Sequence, residues 1–299
     1  MGFRAQRNRL YSLKIGNEDK GWRTESLNIS FDITKSTNNK DKANSATIEV
    51  YNLSADKRRF LEEAFIRAEL YVGYEDYGLV LLFSGEVTEV TTRRSGDDIA
   101  TKFNIGNAYT EINYKTISKL VPAGRTVEDV INEIKAEIPS ISNTVFTGVN
   151  LQSRVLDGYP ISSTARKTLD DLSRSYEIDW QIDNNVLYIN DKNGSHGNSA
   201  SAVVVSRKTG LIERPYAVEV TAVSTKKPVR KEGNTSQRIF KDGVQFKHLL
   251  NPMLTAGGLV KLEDEQFGGL YKVVEIRSYG EWMGNDWYSD VMCEKYGGG

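Results

Sequence analysis

One cysteine, two histidines and no long apolar run stand where a 299-residue chain would usually show its chemistry. A lone Cys293 excludes an intrachain disulfide and a thiolate-rich metal site. It lies among alternating apolar residues and is expected as a small buried hydrophobe. His196 and His248 have no paired ligand spacing, so no metal site is expected. Two histidines, one of them in a polar linker, also leave no plausible Ser/His/Asp arrangement. No segment approaches the ~18–20 apolar residues of a membrane span. The opening MGFRAQRNRLYSLKIG has charge but no apolar segment behind it, so a signal peptide is not expected and the chain is read as made in the cytosol. Charge of one sign is missing too: 39 basic residues face 40 acidic ones. Counterion-driven nucleic-acid binding needs a basic field, so a sequence-specific nucleic-acid partner is not expected. TGLI and TAGG are ordinary glycine turns, not phosphate loops.

What is present leans to β-structure: 15 Tyr, 25 Gly and abundant Val, Ile and Thr. The clearest unit is Leu27–Phe65. Leu27, Ile29, Phe31 and Ile33 alternate with Asn28, Ser30, Asp32 and Thr34, the period of a half-buried strand. A polar stretch centred on Asn38-Asn39 reverses the chain. Ala46, Ile48 and Val50 then return as a second strand. Ser54 is an N-cap candidate, and Phe60, Leu61, Ala64 and Phe65 give a short helix its apolar stripe.

The pattern divides the chain. Residues 1–112 are expected as a β domain with one helix: Tyr11–Ile15, the Leu27–Phe65 unit, Glu69–Tyr74, Val80–Val90 with Gly85 as a bulge or bend, and Ile99–Tyr109. Residues 113–193 change grammar. Thr126-Val127-Glu128-Asp129 is a capping box with Asp in place of Glu. Val127, Val130, Ile131 and Ile134 mark one helix face, with Pro139 as the stop. A second helix over Ser163–Tyr176 precedes a hairpin, Ile178–Ile182 and Val186–Ile189, turned at Asn184-Asn185. This is an α+β insert. Residues 194–202 read as linker, and residues 203–299 are β again. There Tyr216–Val223 alternates and Ser224–Arg238 is a polar, basic loop. Gly258–Glu263, Gly269–Ser278 and Asp286–Tyr296 follow as strands.

The ends of the first and third regions correspond. ELYVGY, a glycine turn, FSGEVTEV and a strand to Tyr109 match GLVKLE, a glycine turn, LYKVVEI and a strand to Tyr296. An internal repeat of this kind governs architecture before other signals do.

Several stretches resemble one family. Asn44–Ser54 (NSATIEVYNLS) with its basic helix start resembles the N-terminal domain of phage baseplate hub proteins. So do Ser206–Ile212 (SRKTGLI), His248–Leu262 (HLLNPMLTAGGLVKL), Gly269–Arg277 (GLYKVVEIR) and Gly284–Asp290 (GNDWYSD). The resemblance covers nearly the whole chain, in order. It implies a mainly β fold in which two similar tail-tube-like β-barrel domains flank a small α+β domain. It further implies a non-enzymatic hub of a contractile tail, with no catalytic, cofactor-binding or metal residues and no cofactor. The hub would be a homotrimer that joins the six-fold tail tube to the three-fold central spike around a lumen for genome ejection. Implied partners are itself, the tail tube and central spike proteins, and tape measure and baseplate wedge proteins as further candidates. The implied place is the virion baseplate, assembled in the host cytoplasm without membrane insertion of its own. Unlike some relatives, the chain shows no added β-helical spike segment or lysozyme-like domain. The 224–238 loop and the Leu53–Phe65 helix are the expected assembly surfaces.

The alternative is a peptidoglycan-active or cell-surface glycan-binding tail component. Its acids would come from Glu62, Glu63, Glu86, Glu281, Asp286 and Asp290, all expected as surface charge. Its sugar platform would come from Trp22, Trp180, Trp282 or Trp287. Trp180 is expected in the insert's core, and Trp282 and Trp287 at an interface.

Overall fold

Period-two alternation becomes strand wherever the sequence shows it clearly. A computed structural model describes residues 8–37, 44–106, 109–148, 151–155, 157–192, 194–196, 201–222 and 239–297. The first region holds β1 (Arg9–Gly16), β2 (Gly21–Thr24), β3 (Ile29–Ser36), β4 (Ser45–Tyr51), α1 (Ala55–Leu61), β5 (Arg67–Tyr74), β6 (Gly78–Ser95) and β7 (Asp98–Gly106). Next come α2 (Tyr109–Tyr114), β8 (Thr116–Val121), α3 (Val127–Ala136), β9 (Asn143–Thr147), β10 (Tyr159–Thr164), α4 (Ala165–Tyr176), β11 (Ile178–Asp183) and β12 (Val186–Asp191). The last region holds β13 (Val203–Val205), β14 (Tyr216–Ala222), β15 (Ile239–Leu249), β16 (Leu259–Leu262), β17 (Gly269–Glu281) and β18 (Trp287–Lys295). The Asn38-Asn39 turn and the 224–238 loop lie outside the described residues.

Ile29, Phe31 and Ile33 of β3 are buried, as are Ala46, Ile48 and Val50 of β4, which pair antiparallel. Ser54 caps α1 by accepting from the Lys57 amide at 3.4 Å. Thr126 and Asp129 form the reciprocal capping box at α3, whose Val127, Val130, Ile131 and Ile134 are buried.

Four expectations shift. The α1 stripe stops at Leu61: Phe65 takes a left-handed backbone (φ 60°) that turns the chain into β5 and leaves its ring 81% exposed. Gly85 is not a bulge. The ladder slips on either side of it, where Leu82 and Thr88 are passed over. Gly85 itself is a point of close approach, since a Cβ there would lie 2.4 Å from the Gly106 carbonyl oxygen. The strand expected to reach Tyr109 ends at Gly106, and Tyr109 starts α2. Finally β15, which pairs with both β14 and β18, lies where no strand was read.

The fold is mainly β with an α+β insert. The two β regions form one sheet, ordered β14-β15-β18-β17-β3-β4-β7-β6-β5-β1-β2, with β16 also on β17 and β13 on β16. Its described pairings form an open path from β14 to β2. Inward residues of β1, β3, β4, β5, β6 and β7 nevertheless meet in one apolar cluster, which only a strongly curved sheet allows. That cluster is completed by Leu250 and Trp287 from the last region. The insert has its own core around α3 and α4, and a third cluster lies under β15–β18.

The two β regions repeat one another in topology. Strand order β3-β4-β7-β6-β5 in the first matches β14-β15-β18-β17-β16 in the last. Even the bulges correspond: β6 slips against β7 between Val87 and Glu89, and β17 slips against β18 between Val273 and Glu275.

Candidate functional site

Of the six carboxylates that a glycosidase would draw on, Glu281 and Asp286 line one cleft and the other four do not line it. Glu62 is the exposed C-cap of α1, and Glu63 pairs with Lys20 at 2.8 Å. Glu86 sits mid-β6 facing the groove between β1, β2 and the 139–140 turn. Glu281 and Asp286 share a shallow cleft with Asp32, Glu49, Arg93 and Arg277, where opposite charges are paired: Arg93 with Glu49 at 3.0 Å and Arg277 with Asp32 at 2.6 Å. Asp290 lies opposite Arg277 across β17–β18.

The tryptophans pack inside the chain. Trp180 is in the insert core and donates its Nε1–H to Asp170 at 3.0 Å. Trp287 was expected at an interface but is 1% exposed, edge-on to Phe31 at 5.3 Å. Trp282 sits beside it and meets Tyr11 edge-on at 4.8 Å. Both rings cross from the last region to close the first core, which is why they look like interface residues in sequence. Trp22 is half-buried beneath the Lys57 ammonium. Cys293 is fully buried, and burial pushes its thiol pKa up.

Two contacts instead organise the molecule. The first is the seam between the β units. β17 runs antiparallel to β3 from Glu275↔Ser36 to Glu281↔Ser30. Arg277 grips Asp32 with both Nε and Nη2, at 2.6–3.1 Å, and its guanidinium lies over Tyr279 at 5.1 Å. The Asp32 carboxylate raises the Arg277 pKa. Gly280 faces Phe31 across this seam, and a Cβ on it would come within 2.6 Å of the Trp287 ring.

The second is a buried junction of all three regions. The Lys35 ammonium of β3 reaches Asp183 of the insert at 2.7 Å, both side chains being 5–7% exposed. Thr255, in the turn before β16, donates its hydroxyl to the same carboxylate at 2.8 Å. Nearby, Asn44 donates to the Ile182 carbonyl and Gln181 to the Ala256 carbonyl. Asn185 reaches the Ser84 hydroxyl, while the Ser84 amide donates to Asn184. His196 was read as a linker residue. It is docked here, stacked on Tyr188 at 4.2 Å, with its amide donating to the Gly257 carbonyl. Burial, then the Lys272 charge, lowers its pKa to about 4, against the opposing pull of Asp183. Gly257 holds φ 82° and leaves no room for a side chain, because a Cβ would stand 2.4 Å from that ring.

Sequence reasoning missed Lys35 and Asp183. A signal was present: Lys35 continues the buried series Ile29, Phe31, Ile33, and a charge on a buried face requires a partner. His248 is fully buried in β15 with Nδ1 2.5 Å from the Leu249 carbonyl oxygen, and burial lowers its pKa. Among the described residues no three metal-ligating side chains cluster, and no helix is long and apolar enough to cross a membrane.

The fold is shared with solved tail proteins. The 43 kDa tail protein of prophage MuSo2 from Shewanella oneidensis superposes with a TM-score of 0.64 at 10% identity, over 96% of this chain and 98% of that one. A tail protein from Neisseria meningitidis MC58 gives 0.61 at 12%, over 96% and 97%. The E. coli c3393 protein, a type VI secretion component described as similar to the T4 tail proteins gp27 and gp5, gives 0.59 at 9%, over 95% and 76%. No curated protein has a sequence that matches this one. The family model for baseplate hub gp41 matches residues 12–226, which spans the first β region, the insert and the start of the last region. The chain therefore belongs to the baseplate hub gp41 family, structural components of the phage tail.

Proposed function

We propose that this chain is the structural hub of a contractile tail baseplate. Three copies form a ring that adapts the six-fold tail tube to the three-fold central spike and leaves a lumen for genome ejection. One observation carries the reading: a single chain contains the same strand order twice, fused through the β3–β17 seam. Three such chains present six similar units to a six-fold partner while keeping three-fold symmetry towards a trimeric one. The layout has two β units, 1–112 and 203–299, with the 113–193 insert and the 194–202 linker between them. The buried Lys35–Asp183–Thr255 junction supports a rigid body of this kind, because all three regions contribute to it. In this reading the work is mechanical and no residue is catalytic. The tube binds on one face and the spike on the other, with tape measure and wedge proteins as further contacts. Residues 224–238 and the Leu53–Phe65 segment serve as assembly surfaces, Phe65 being the most exposed large apolar side chain among the described residues. The mature location is the virion baseplate, reached after assembly in the host cytoplasm.

The test is co-expression with the tail tube and spike proteins of the same phage, followed by imaging of the purified complex. The reading expects a ring of this chain between tube and spike. Tube and spike that join each other while excluding this chain would refute it.

A further inference from the structure

The seam that joins the two β units inside one chain has a counterpart in two edges that are unpaired among the described residues, that of β14 and that of the distal half of β6. In β17 the proximal half carries β16 on one edge, and the distal half gives that edge to β3. Its equivalent, β6, carries β5 on its proximal half up to Glu86, with the Val87 amide donating to Ile66. Beyond that point, Glu89–Ser95 pairs with β7 alone, and its other edge has no strand partner among the described residues. Likewise β3 is covered on both edges, by β4 and β17, whereas among the described residues its equivalent β14 pairs only with β15. Among the described residues the chain thus has one used pair of edges and one matching unused pair. Long unpaired edges template association with another strand, which stable proteins otherwise blunt.

We infer that β14 of one copy pairs antiparallel with the Glu89–Ser95 half of β6 in the next copy, so that copies join by the pairing that already joins the two units within a chain. This rests on the ring reading above and adds its interface. The repeat sets the register. Glu89 corresponds to Glu275 by their shared position after the bulge. Ile33 corresponds to Ala217, because Ile33 faces Ala46, Ala217 faces Val244, and these two face Ile105 and Cys293 at equivalent points of β7 and β18. The seam pair Ser278↔Ile33 then becomes Thr92↔Ala217, and Tyr279↔Asp32 becomes Arg93↔Tyr216. Chemistry suits the transferred register. Arg93 is exposed and Tyr216 is 51% exposed, and an arginine facing a tyrosine across paired strands can lay its guanidinium over the ring, as Arg277 does over Tyr279 within β17. Two different edges meet, one from each unit, which makes a head-to-tail contact that closes into a ring when the rotation allows.

Zero-length disulfide trapping tests this in the full chain. Thr92 and Ala217 are both exposed, and directly opposed residues of antiparallel strands have Cβ atoms about 4.5–5.5 Å apart. Cys293 is fully buried and gives no background. Under mild oxidation, a variant carrying both Thr92→Cys and Ala217→Cys is expected to lose its one-chain band to a ladder ending at three chains, with neither single variant giving the ladder. Thr92→Cys with Val218→Cys, which places the second thiol on the opposite face of β14, is expected to give none. Thermal melts of the reduced variants that match the parent protein show that they fold. A three-chain species by light scattering without the Thr92/Ala217 ladder, or with equal trapping in the Val218 control, overturns this interface and leaves the ring standing. A chain that stays single at every concentration removes the ring and this interface together.

Discussion

Lys35 Nζ lies 2.7 Å from Asp183 Oδ1, an ion pair almost sealed from solvent, with one partner on the first β region and the other on the insert. Taking two charges out of water costs several kcal/mol each, so such a pair holds only when further groups satisfy the ions. Thr255 supplies one of these groups from the last region. The Phe83 ring lies 5.8 Å from the ammonium as a further neighbour. The pair thereby ties the positions of three regions to one another.

Removing one partner strands the other. Lys35→Met or Asp183→Leu alone is expected to destabilise by roughly 3–5 kcal/mol in denaturant unfolding. The double variant is expected to recover much of that loss. Single variants within ~0.5 kcal/mol of the parent would show that the pair is not sealed in solution.

His196 makes stability depend on pH. Its folded pKa of about 4 lies below the ordinary value of 6.5, so the folded state favours the neutral ring. The contribution is complete above about pH 6.5 and is lost as pH falls from there towards 4, because the unfolded chain binds the proton first. The loss amounts to no more than about 3 kcal/mol. His248, lowered in the same direction by burial, adds to it. His196→Phe keeps the stack on Tyr188 and is expected to flatten the slope of unfolding free energy between pH 6.5 and 4. An unchanged slope would place His196 in solvent.

Gly280 is the tight point of the β3–β17 seam. Gly280→Ala forces a methyl against Trp287 and Phe31, whose ring atoms would lie 2.6–2.9 Å away. Overpacking of this kind costs about 1–3 kcal/mol. The expected readout is a lowered denaturant midpoint with a changed tryptophan emission. Gly96→Ala, where a Cβ meets nothing within 4 Å but φ is 63°, serves as a backbone-strain control away from the seam.

The α3 cap stabilises its own helix. Thr126→Ala removes the hydroxyl half of the capping box, leaving the backbone amide of residue 126 to donate to Asp129, and is expected to cost about 1 kcal/mol. Hydrogen bonds from Thr126 hold the Asp129 carboxyl below its usual pKa, so the cap's contribution is present above about pH 4 and fades below it. Equal stability of the variant and the parent at pH 7 would count against the cap.

Local grammar was legible in the chain; the joints between regions were only partly so. Ile29, Phe31 and Ile33 announce β3, and Thr126 with Asp129 announces α3, because each signal lies within a few residues. The repeat was visible as paired wording around FSGEVTEV and LYKVVEI, and the equivalent bulges fall within those words. β15 was missed because it follows a polar, basic stretch, and Lys241, Asp242 and Gly243 break its apolar alternation. Trp282 and Trp287 were read as interface residues since no local pattern tells that they fill a core formed mostly by residues far away in sequence. The Lys35–Asp183 pair was invisible for the same reason, although Lys35 on a buried face was a clue.

The most direct test of the central claim is the solution mass of the purified chain by light scattering across a wide concentration range. A duplicated β unit that builds a six-unit ring predicts convergence on three chains as concentration rises, with class averages of that species showing six similar lobes around a central opening. A mass that stays at one chain throughout, or settles at a closed pair, would contradict it.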